Sequence, residues 1–381
     1  MAKKFKCPYC LQVHKDSDCI YRCLSSHPCR LGVPLDDTRT IPFKYVGTCQ
    51  KKCDQTMKII CPTLLSENQV KIIPPRAVDY EGISLALLGG RNSGKSNYIA
   101  VLVNEIKNKM SWAYNCSLMA CDDSSDQRYK DFFWKPLYQD HRVLDSTDAN
   151  RQDPLLFSLD FYGKGKNSKI ESSLVLPLYD TAGENMKESD KFGDKINYIR
   201  SAGGIILLLD PFEIKEIADQ LALNGIPTPE GTSSIETILN SIKQYLQRGK
   251  GAKDLIEVPI AIVLTKLDLL LDFTDLIPPN SILRPDPDRI EQADRGSFSQ
   301  EEFEKVNTAV LNILKQHAGE AGLGIGNLIT SLRSFRHYGL FAVSSFGCEP
   351  TKSDLLKLRP IRVLDPLLWL LSINKYVKTT R

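Results

Sequence analysis

From residue 83 onward, short apolar runs alternate with segments of helical spacing. ISLALLG (83–89), CSLMAC (116–121), GGIILLLD (203–210), VPIAIVLTKLD (258–268) and GLFAVSS (339–345) have the length and apolar character of buried strands. Between and after them, residues 96–110, 190–201, 236–249, 301–317 and 362–377 repeat apolar positions at three- and four-residue steps. That is the spacing of a helix with one buried face. The stretch LLFSLDFYGKGKNSKIESSLVLPLYD (155–180) reads as two strands around a Gly/Lys/Asn turn, a hairpin. Alternating strands and helices predict an α/β fold, with a mostly parallel sheet covered on both faces. The hairpin predicts a single antiparallel edge strand. Two long, polar, proline-bearing stretches, 211–235 and 269–300, read as lids or docking loops rather than core.

Residues 1–71 lack this rhythm. They are rich in Cys, Lys and Pro and show no long helix pattern, and IIPPRAVDYEG (72–82) reads as a linker. The pattern thus predicts a small cysteine-rich domain (1–71), a linker (72–82) and a large α/β domain (83–381). Composition narrows the class. At 42% apolar and 25% charged, the chain is ordinary globular material, and a net charge of +3 over 381 residues carries no nucleic-acid signature. The first 80 residues hold 13 Lys+Arg against 7 Asp+Glu, a mild basic bias that supports nucleic-acid binding only weakly. No stretch approaches the roughly 18 apolar residues of a membrane-spanning helix. The start, MAKKFKCPYC, has no apolar signal region. A soluble cytoplasmic protein is the expectation, and in that setting clustered cysteines point to metal thiolates rather than disulfides.

The run after the first strand carries the strongest chemistry. Gly89-Gly90-Arg91-Asn92-Ser93-Gly94-Lys95-Ser96 fits G-x-x-x-x-G-K-[ST], between a strand and a helix. Its glycines let backbone N–H groups wrap a phosphate at a helix N-terminus. Lys95 would reach the β- and γ-phosphates and Ser96 would ligate Mg2+, with Asn97 next in the same helical turn. Asp180, at the end of LVLPLYD, is followed three residues later by Gly183, a spacing that suits a magnesium and phosphate sensor. Thr265-Lys266-Leu267-Asp268 ends a late strand. A carboxylate there can accept two hydrogen bonds from guanine, which adenine cannot offer, while the lysine stem covers the base.

Together GGRNSGKS, DTAG (180–183), TKLD (265–268) and FAVSS (341–345) resemble the Ras-like GTPases of the translation-factor-related P-loop class, over roughly residues 83–377. Two departures are the Thr at 265, where Asn is usual, and Ser344-Ser345 in place of the family's last motif. The resemblance implies a sheet of about six strands with GTP at their carboxyl ends. It implies that Asp180 holds Mg2+ through water, that the Gly183 N–H meets the γ-phosphate, and that a backbone N–H of the Ser344-Ser345 loop meets the guanine oxygen. A first-switch threonine on Mg2+ would be Thr147, with Ser146 its rival in VLDSTD (143–148). The family often has a water-orienting glutamine at the position of Glu184. A carboxylate beside an anionic phosphate is a poorer orienter, so slow intrinsic hydrolysis is expected, with Lys95, Thr147 and Glu184 as the catalytic candidates and Arg91 and Lys187 as nearby cations.

Eight of the 11 cysteines precede residue 62. Cys7-Pro-Tyr-Cys10 is a knuckle that can point two thiolates at one ion; Cys49 and Cys53 form a looser one, and Cys61-Pro begins a third. With Cys19, Cys23 and Cys29 between them, and His14 and His27 added, the set suffices for one or two tetrahedral Zn2+ sites. The spacing leaves the pairing open among Cys7, Cys10, Cys23, Cys29, Cys49, Cys53 and Cys61. Metal is expected to supply folding energy that so small a segment lacks. Cys116, Cys121 and Cys348 read as small core residues. A zinc-ribbon-like module joined to a Ras-like GTPase resembles the double-GTPase-type components of bacterial multi-gene conflict systems. That resemblance implies a partner or GTPase activator in trans and a role in anti-phage defence. Two alternatives stand beside the switch reading: a GTP-dependent assembly or scaffold protein with negligible hydrolysis, and a zinc-ribbon nucleic-acid binder regulated by nucleotide.

Overall fold

The computed structural model describes residues 4–10, 12–23, 29, 31–33, 35, 39–52, 57–63, 71–74, 77–78, 85–90, 92–144, 154–163, 169–179, 199, 202–229, 235–248, 251, 254–316, 323–348 and 358–381. At the front, β1 (Lys4–Lys6) and β2 (Val13–Lys15) form an antiparallel hairpin. A second antiparallel sheet follows, built from β3 (Ile20–Cys23), β4 (Thr40–Ile41), β5 (Met57–Ile60) and β6 (Ile72–Ile73) in the order β4-β3-β5-β6. A ten-residue helix, α1 (Phe43–Lys52), lies between β4 and β5. The sequence shows little helix pattern there because, among its described side chains, only Val46 and Cys49 are buried, with Tyr45 partly buried against the same core. Phe5, Tyr21, Val33, Ile41, Ile59 and Ile73 complete a small core. The stretch read as a linker therefore begins inside the module: Ile72–Ile73 pairs with β5, and Ala77 is buried.

The larger part opens with β7 (Leu85–Gly89) and α2 (Lys95–Glu105), which widens into a π-helical turn at Ile106–Met110. Next come β8 (Cys116–Ala120) and α3 (Asp123–Tyr129), whose first turn is capped by Asp122 accepting from the Ser125 N–H at 2.7 Å. The hairpin strands β9 (Leu155–Tyr162) and β10 (Ile170–Leu178) follow, then β11 (Gly204–Leu209), α4 (Lys215–Leu223), α5 (Ile235–Leu246) and β12 (Ile260–Leu264). The chain closes with β13 (Phe298–Ser299), α6 (Gln300–Gln316), α7 (Leu323–Leu332), β14 (Tyr338–Ala342), α8 (Asp365–Ile373) and β15 (Thr379–Thr380).

The central sheet is parallel, ordered β14-β12-β11-β7, and every residue of β7, β11 and β12 is buried. The expected α/β architecture with a parallel sheet is present. Among the described residues, four strands are hydrogen-bonded in the parallel sheet, and β8, β9 and β10 form an antiparallel sheet that shares its core, with β10 lying against β7. The antiparallel part is wider than one edge strand because β9 pairs antiparallel on both sides, with β8 and with β10. The stretches read as loops are also more ordered than expected. Within 211–235 lies α4, with Ile217, Ala218 and Leu221 buried. In 269–300, Leu276, Ile277, Leu283 and Ala293 enter the main core, and the Arg284 guanidinium donates to the Ile277 carbonyl at 2.6 Å. Of the helix expected at 190–201, only Ile199 is among the described residues. No helix among them is long and apolar enough to cross a membrane.

The hairpin β9–β10 is buried on both faces. Phe157, Leu159, Leu174 and Leu176 point into the main core. On the opposite face, Val175 packs with Phe5, Cys7 and Tyr21 of the N-terminal module, and the Tyr179 hydroxyl donates to the Pro8 carbonyl at 2.8 Å.

A buried charge cluster ties α6 to α8. The Arg362 Nη2 donates to Glu302 at 2.5 Å, and Arg295 meets the other oxygen of that carboxylate at 3.0 Å. Arg362 Nε lies 2.8 Å from Asp365 as an ion pair. Replacing Arg362 with Met leaves two buried carboxylates without their shared cation. The expected loss is about 3–5 kcal/mol of unfolding free energy in urea titrations; a loss below about 1 kcal/mol would show that the cluster is not holding the helices.

Candidate nucleotide site and cysteine centre

The loop after β7 has the shape of a phosphate cradle. Asn92 and Gly94 have positive φ, 66° and 78°, which turns successive N–H groups toward the same side. The Ser93 hydroxyl donates to the Gly90 carbonyl at 2.9 Å, and the Tyr98 N–H donates to Gly94 at 2.8 Å, starting α2 at once. A Cβ on Gly89 would stand 2.5 Å from the Ser93 hydroxyl oxygen and 3.1 Å from Leu208, so glycine is required where the loop leaves the strand. Lys95 is the first residue of α2 and is only 7% exposed; Ser96 and Asn97 follow in the same turn, half-buried. Far along the chain, Tyr98 donates to the Val363 carbonyl at 3.0 Å, anchoring the first turn of α2 from behind.

The base-recognition candidates gather at the same end of the sheet. Thr265 is held by its N–H and its hydroxyl, both donating to Leu209 at 2.9 and 3.2 Å. Lys266 has φ 53° and opens a 3-10 turn over Leu267–Leu270, which leaves Asp268 half-buried at the rim. Leu267 N–H donates to Val343, and Val343 N–H to Leu264, so this turn and the Ser344-Ser345 loop are stitched together. The Ser344 N–H is bound to Ile361, and the Ser344 hydroxyl accepts from Phe346 and Gly347. Ser345 follows in the same loop, and no bond of its amide is made among the described residues.

A partner of Lys266 was invisible in the sequence. Its ammonium lies 2.6 Å from Asp210, at the end of β11, and 5.0 Å from the centre of the Phe212 ring. Asp210 is fully buried, and burial raises its carboxyl above the ordinary range against the pull of Lys266. Asp210 also caps the short turn Pro211–Glu213 in a reciprocal arrangement, with Glu213 accepting from the Asp210 N–H at 3.2 Å. The strand-end acid following five apolar residues was the only available signal.

The switch candidates Ser146, Thr147, Asp180, Gly183, Glu184 and Lys187 lie outside the described residues, as does Arg91. Their neighbours are informative. Asn97 accepts from the Leu144 N–H at 3.2 Å, so the phosphate-loop helix holds the chain just before Thr147. Tyr179, directly before Asp180, is held by Pro8. The hairpin β9–β10 connects these two points.

In the N-terminal module, Cys7, Cys10, His14 and Cys61 bring their ligand atoms within 4.8 Å of one another. The turn closes through Cys7 N–H to Gln12 at 3.0 Å, while the Tyr9 N–H donates to the Cys7 sulfur at 3.5 Å. Pairing of β1 with β2 sets His14 opposite Phe5, and its Nε2 lies 3.1 Å from the Cys10 sulfur. Cys61 arrives from the end of β5, its N–H bound to Lys71. Three sulfurs and one imidazole nitrogen at these separations fit tetrahedral Zn2+, with bonds of about 2.3 Å to sulfur and about 2.0 Å to nitrogen. The neighbouring Cys10 and Cys61 thiols, then burial, push the Cys7 thiol well above its usual range. A divalent cation reverses that balance and favours the thiolates. Cys23 and Cys49 are buried in the module core, and Cys29 is half-buried outside this group. Cys53 and His27 lie outside the described residues. One four-ligand group is thus assembled among the described residues, and it includes a histidine, His14, that the sequence only counted as available.

Comparisons with known proteins follow the same lines. A family model described as double-GTPase 2 matches residues 83–332. A putative ESX-1 scaffolding and assembly protein, SaeC, of Mycolicibacterium smegmatis is 26% identical over 310 residues, covering 76% of this chain and 74% of that protein. Among solved structures, the Arl6 small GTPase of Trypanosoma brucei is similar over 78% of this chain and 99% of its own, at 11% identity and a TM-score of 0.31. Bacterial elongation factor EF-Sec is similar over 78% of this chain and 29% of its own, at 14% identity and a TM-score of 0.27.

Glu213, beside Asp210, yields a pH expectation. Burial pushes its carboxyl up to about 8, and its Oε2 has no hydrogen-bond partner among the described residues. A raised carboxyl favours the folded chain when protonated; that contribution is complete below the ordinary value of 4.5 and is lost as pH rises to about 8. Stability to urea is expected to fall between roughly pH 5 and 8 more steeply in the native chain than in Glu213→Gln. Parallel pH profiles for the two proteins would contradict this.

Proposed function

The chain belongs to the double-GTPase 2 family, and on that premise we propose that it is a GTP-binding switch that hydrolyses GTP slowly and is activated by a protein partner. The observation that carries this reading is the loop after Gly89. A forced glycine, two positive-φ residues and a buried Lys95 at a helix N-terminus form a cradle for a chain of phosphates. Ser96, Asp180 and Thr147 (or Ser146) are the proposed Mg2+ ligands. Gly89, Asn92, Ser93, Gly94, Lys95 and Asn97 surround the phosphates. Thr265, Lys266, Asp268, Ser344 and Ser345 form the guanine side, supported by their convergence at one end of the sheet.

Catalysis rests on Glu184 following Gly183. Its carboxylate sits beside an anionic γ-phosphate in this reading, so basal turnover is slow until a partner supplies a cation or repositions the water. The cysteine group is proposed to hold Zn2+. The pairing of that module with a GTPase domain supports an activator in trans within a bacterial defence system, and a cytoplasmic setting. A second reading, a GTP-dependent assembly or scaffold protein with negligible turnover, is favoured by the likeness to SaeC, a putative scaffolding and assembly protein. Nucleic-acid binding has only the mild basic bias of the first 80 residues behind it.

Fluorescent-nucleotide titration tests the base assignment. The native chain is expected to bind mant-GTP more tightly than mant-ATP, Lys95→Ala to bind neither, and Asp268→Ala to lose at least about tenfold in GTP affinity. Tighter ATP binding by the native chain removes the guanine reading. Single-turnover hydrolysis separates the remaining possibilities. Glu184→Gln is expected to raise the basal rate, a large fall would instead make Glu184 a general base, and negligible turnover in both proteins with GTP still bound would favour the assembly reading.

A further inference from the structure

One side chain joins the cysteine group to the residue that precedes Asp180. Pro8 lies inside the Cys7–Cys10 knuckle, and its carbonyl accepts from the Tyr179 hydroxyl at 2.8 Å. Tyr179 is half-buried and immediately precedes Asp180. Four residues back along β10, Val175 is 2% exposed and packs in the same cluster as Phe5, Cys7 and Cys61. Half-buried Cys121, at the end of β8, packs there too. The knuckle thus holds the last described stretch of chain before Asp180 by one polar contact and one apolar contact.

The carbonyl of Pro8 points where the knuckle turn puts it. That turn is shaped by the Cys7 N–H to Gln12 bond and by the Tyr9 N–H to Cys7 sulfur contact. Four ligand atoms drawn onto one ion would fix the turn further, because tetrahedral bonds to Cys7 and Cys10 leave the two residues between them little freedom.

Resting on the reading of the loop after Gly89 as a GTP site, we propose that Cys7, Cys10, His14 and Cys61 hold one Zn2+ and that Tyr179 is a positioning residue linking this centre to the second switch. Zinc binding and nucleotide state are therefore coupled. The knuckle with zinc bound holds the hairpin end in one position, and the GDP and GTP forms differ in how well they tolerate it. Linkage makes the effect reciprocal: the factor by which GTP in place of GDP changes zinc affinity equals the factor by which zinc changes the preference between the two nucleotides.

The test uses the full chain saturated with GDP or with a non-hydrolysable GTP analogue. Zn2+ affinity is read by competition with a chromophoric chelator, and stoichiometry by metal analysis. The expected result is one Zn2+ per chain, lost from His14→Ala, with affinities that differ at least about fivefold between the two nucleotide forms. Stripping zinc should shift the GDP-to-GTP preference by the same factor. Tyr179→Phe keeps the ring and removes the hydroxyl; it should still bind one Zn2+ and both nucleotides, with the ratio falling toward one. Tyr162→Phe, which removes a hydroxyl bonded to Ser117 at 2.9 Å at the far end of the hairpin, should keep the native ratio. Equal zinc affinity in both nucleotide forms overturns the coupling, and an unchanged ratio in Tyr179→Phe overturns the role of that residue. A chain that takes up zinc but binds neither nucleotide removes the GTP reading and the coupling with it. A chain that binds GTP and ignores zinc removes the coupling alone.

Discussion

The hairpin β9–β10 has no side left for solvent over most of its length, and much of the architecture follows from that. A strand pair with alternating side chains needs a separate apolar surface for each face. Here one face completes the core beneath the parallel sheet, while the other is closed by the N-terminal module through Val175. Closing that second face buries polar groups as well. Asp160 is fully buried, and its carboxylate accepts from the hydroxyls of Ser158 and Ser173 on the same two strands. Without those donors, enclosing the acid would cost several kcal/mol. The serines are therefore part of what allows the module to sit where it does.

At the other end of the design, the parallel sheet sends the chain out of β7, β11, β12 and β14 in the same direction. Parallel pairing makes this unavoidable, and it collects chemistry from positions 89, 210, 265 and 344 at one rim. Bonds between the exits keep them in register: Thr265 to Leu209, Leu267 to Val343, and Val343 to Leu264. The Lys266–Asp210 pair extends the same network. The buried acid holds the lysine ammonium at the rim.

Much of this was legible in the residues, for a physical reason. Strands buried on both faces must be continuously apolar, so β7, β11 and β12 announce themselves, and the phosphate loop follows the first of them with its spacing intact. The segments that escaped reading obey weaker rules. Among the described side chains of α1 only Val46 and Cys49 are buried, too few to make a period. In 269–300 the buried residues Leu276, Ile277 and Leu283 are spaced by turns rather than by helix or strand, so the sequence looks like a polar loop. The metal group was half legible. Cys7-x-x-Cys10 is a local signal, but His14 and Cys61 join it through the β1–β2 hairpin and the end of β5, and no sequence spacing encodes that closure. Likewise, nothing in the pattern of β10 says that its outer face is covered by residues more than 150 positions earlier.

The contact between Pro8 and Tyr179 spans 171 residues of chain. On a ribosome adding about 5–20 residues per second, the knuckle and Cys61 emerge roughly six seconds or more before the hairpin that covers them. During that interval the module is a small body with an uncovered apolar face around Phe5 and Tyr21. Metal capture, which needs only residues 7 to 61, can precede docking, so the nascent chain would acquire its ion first and its second core afterwards. A module left without an ion would then offer the hairpin no finished surface to fold against, and the fault would register as aggregation of new chains rather than as loss of function in old ones.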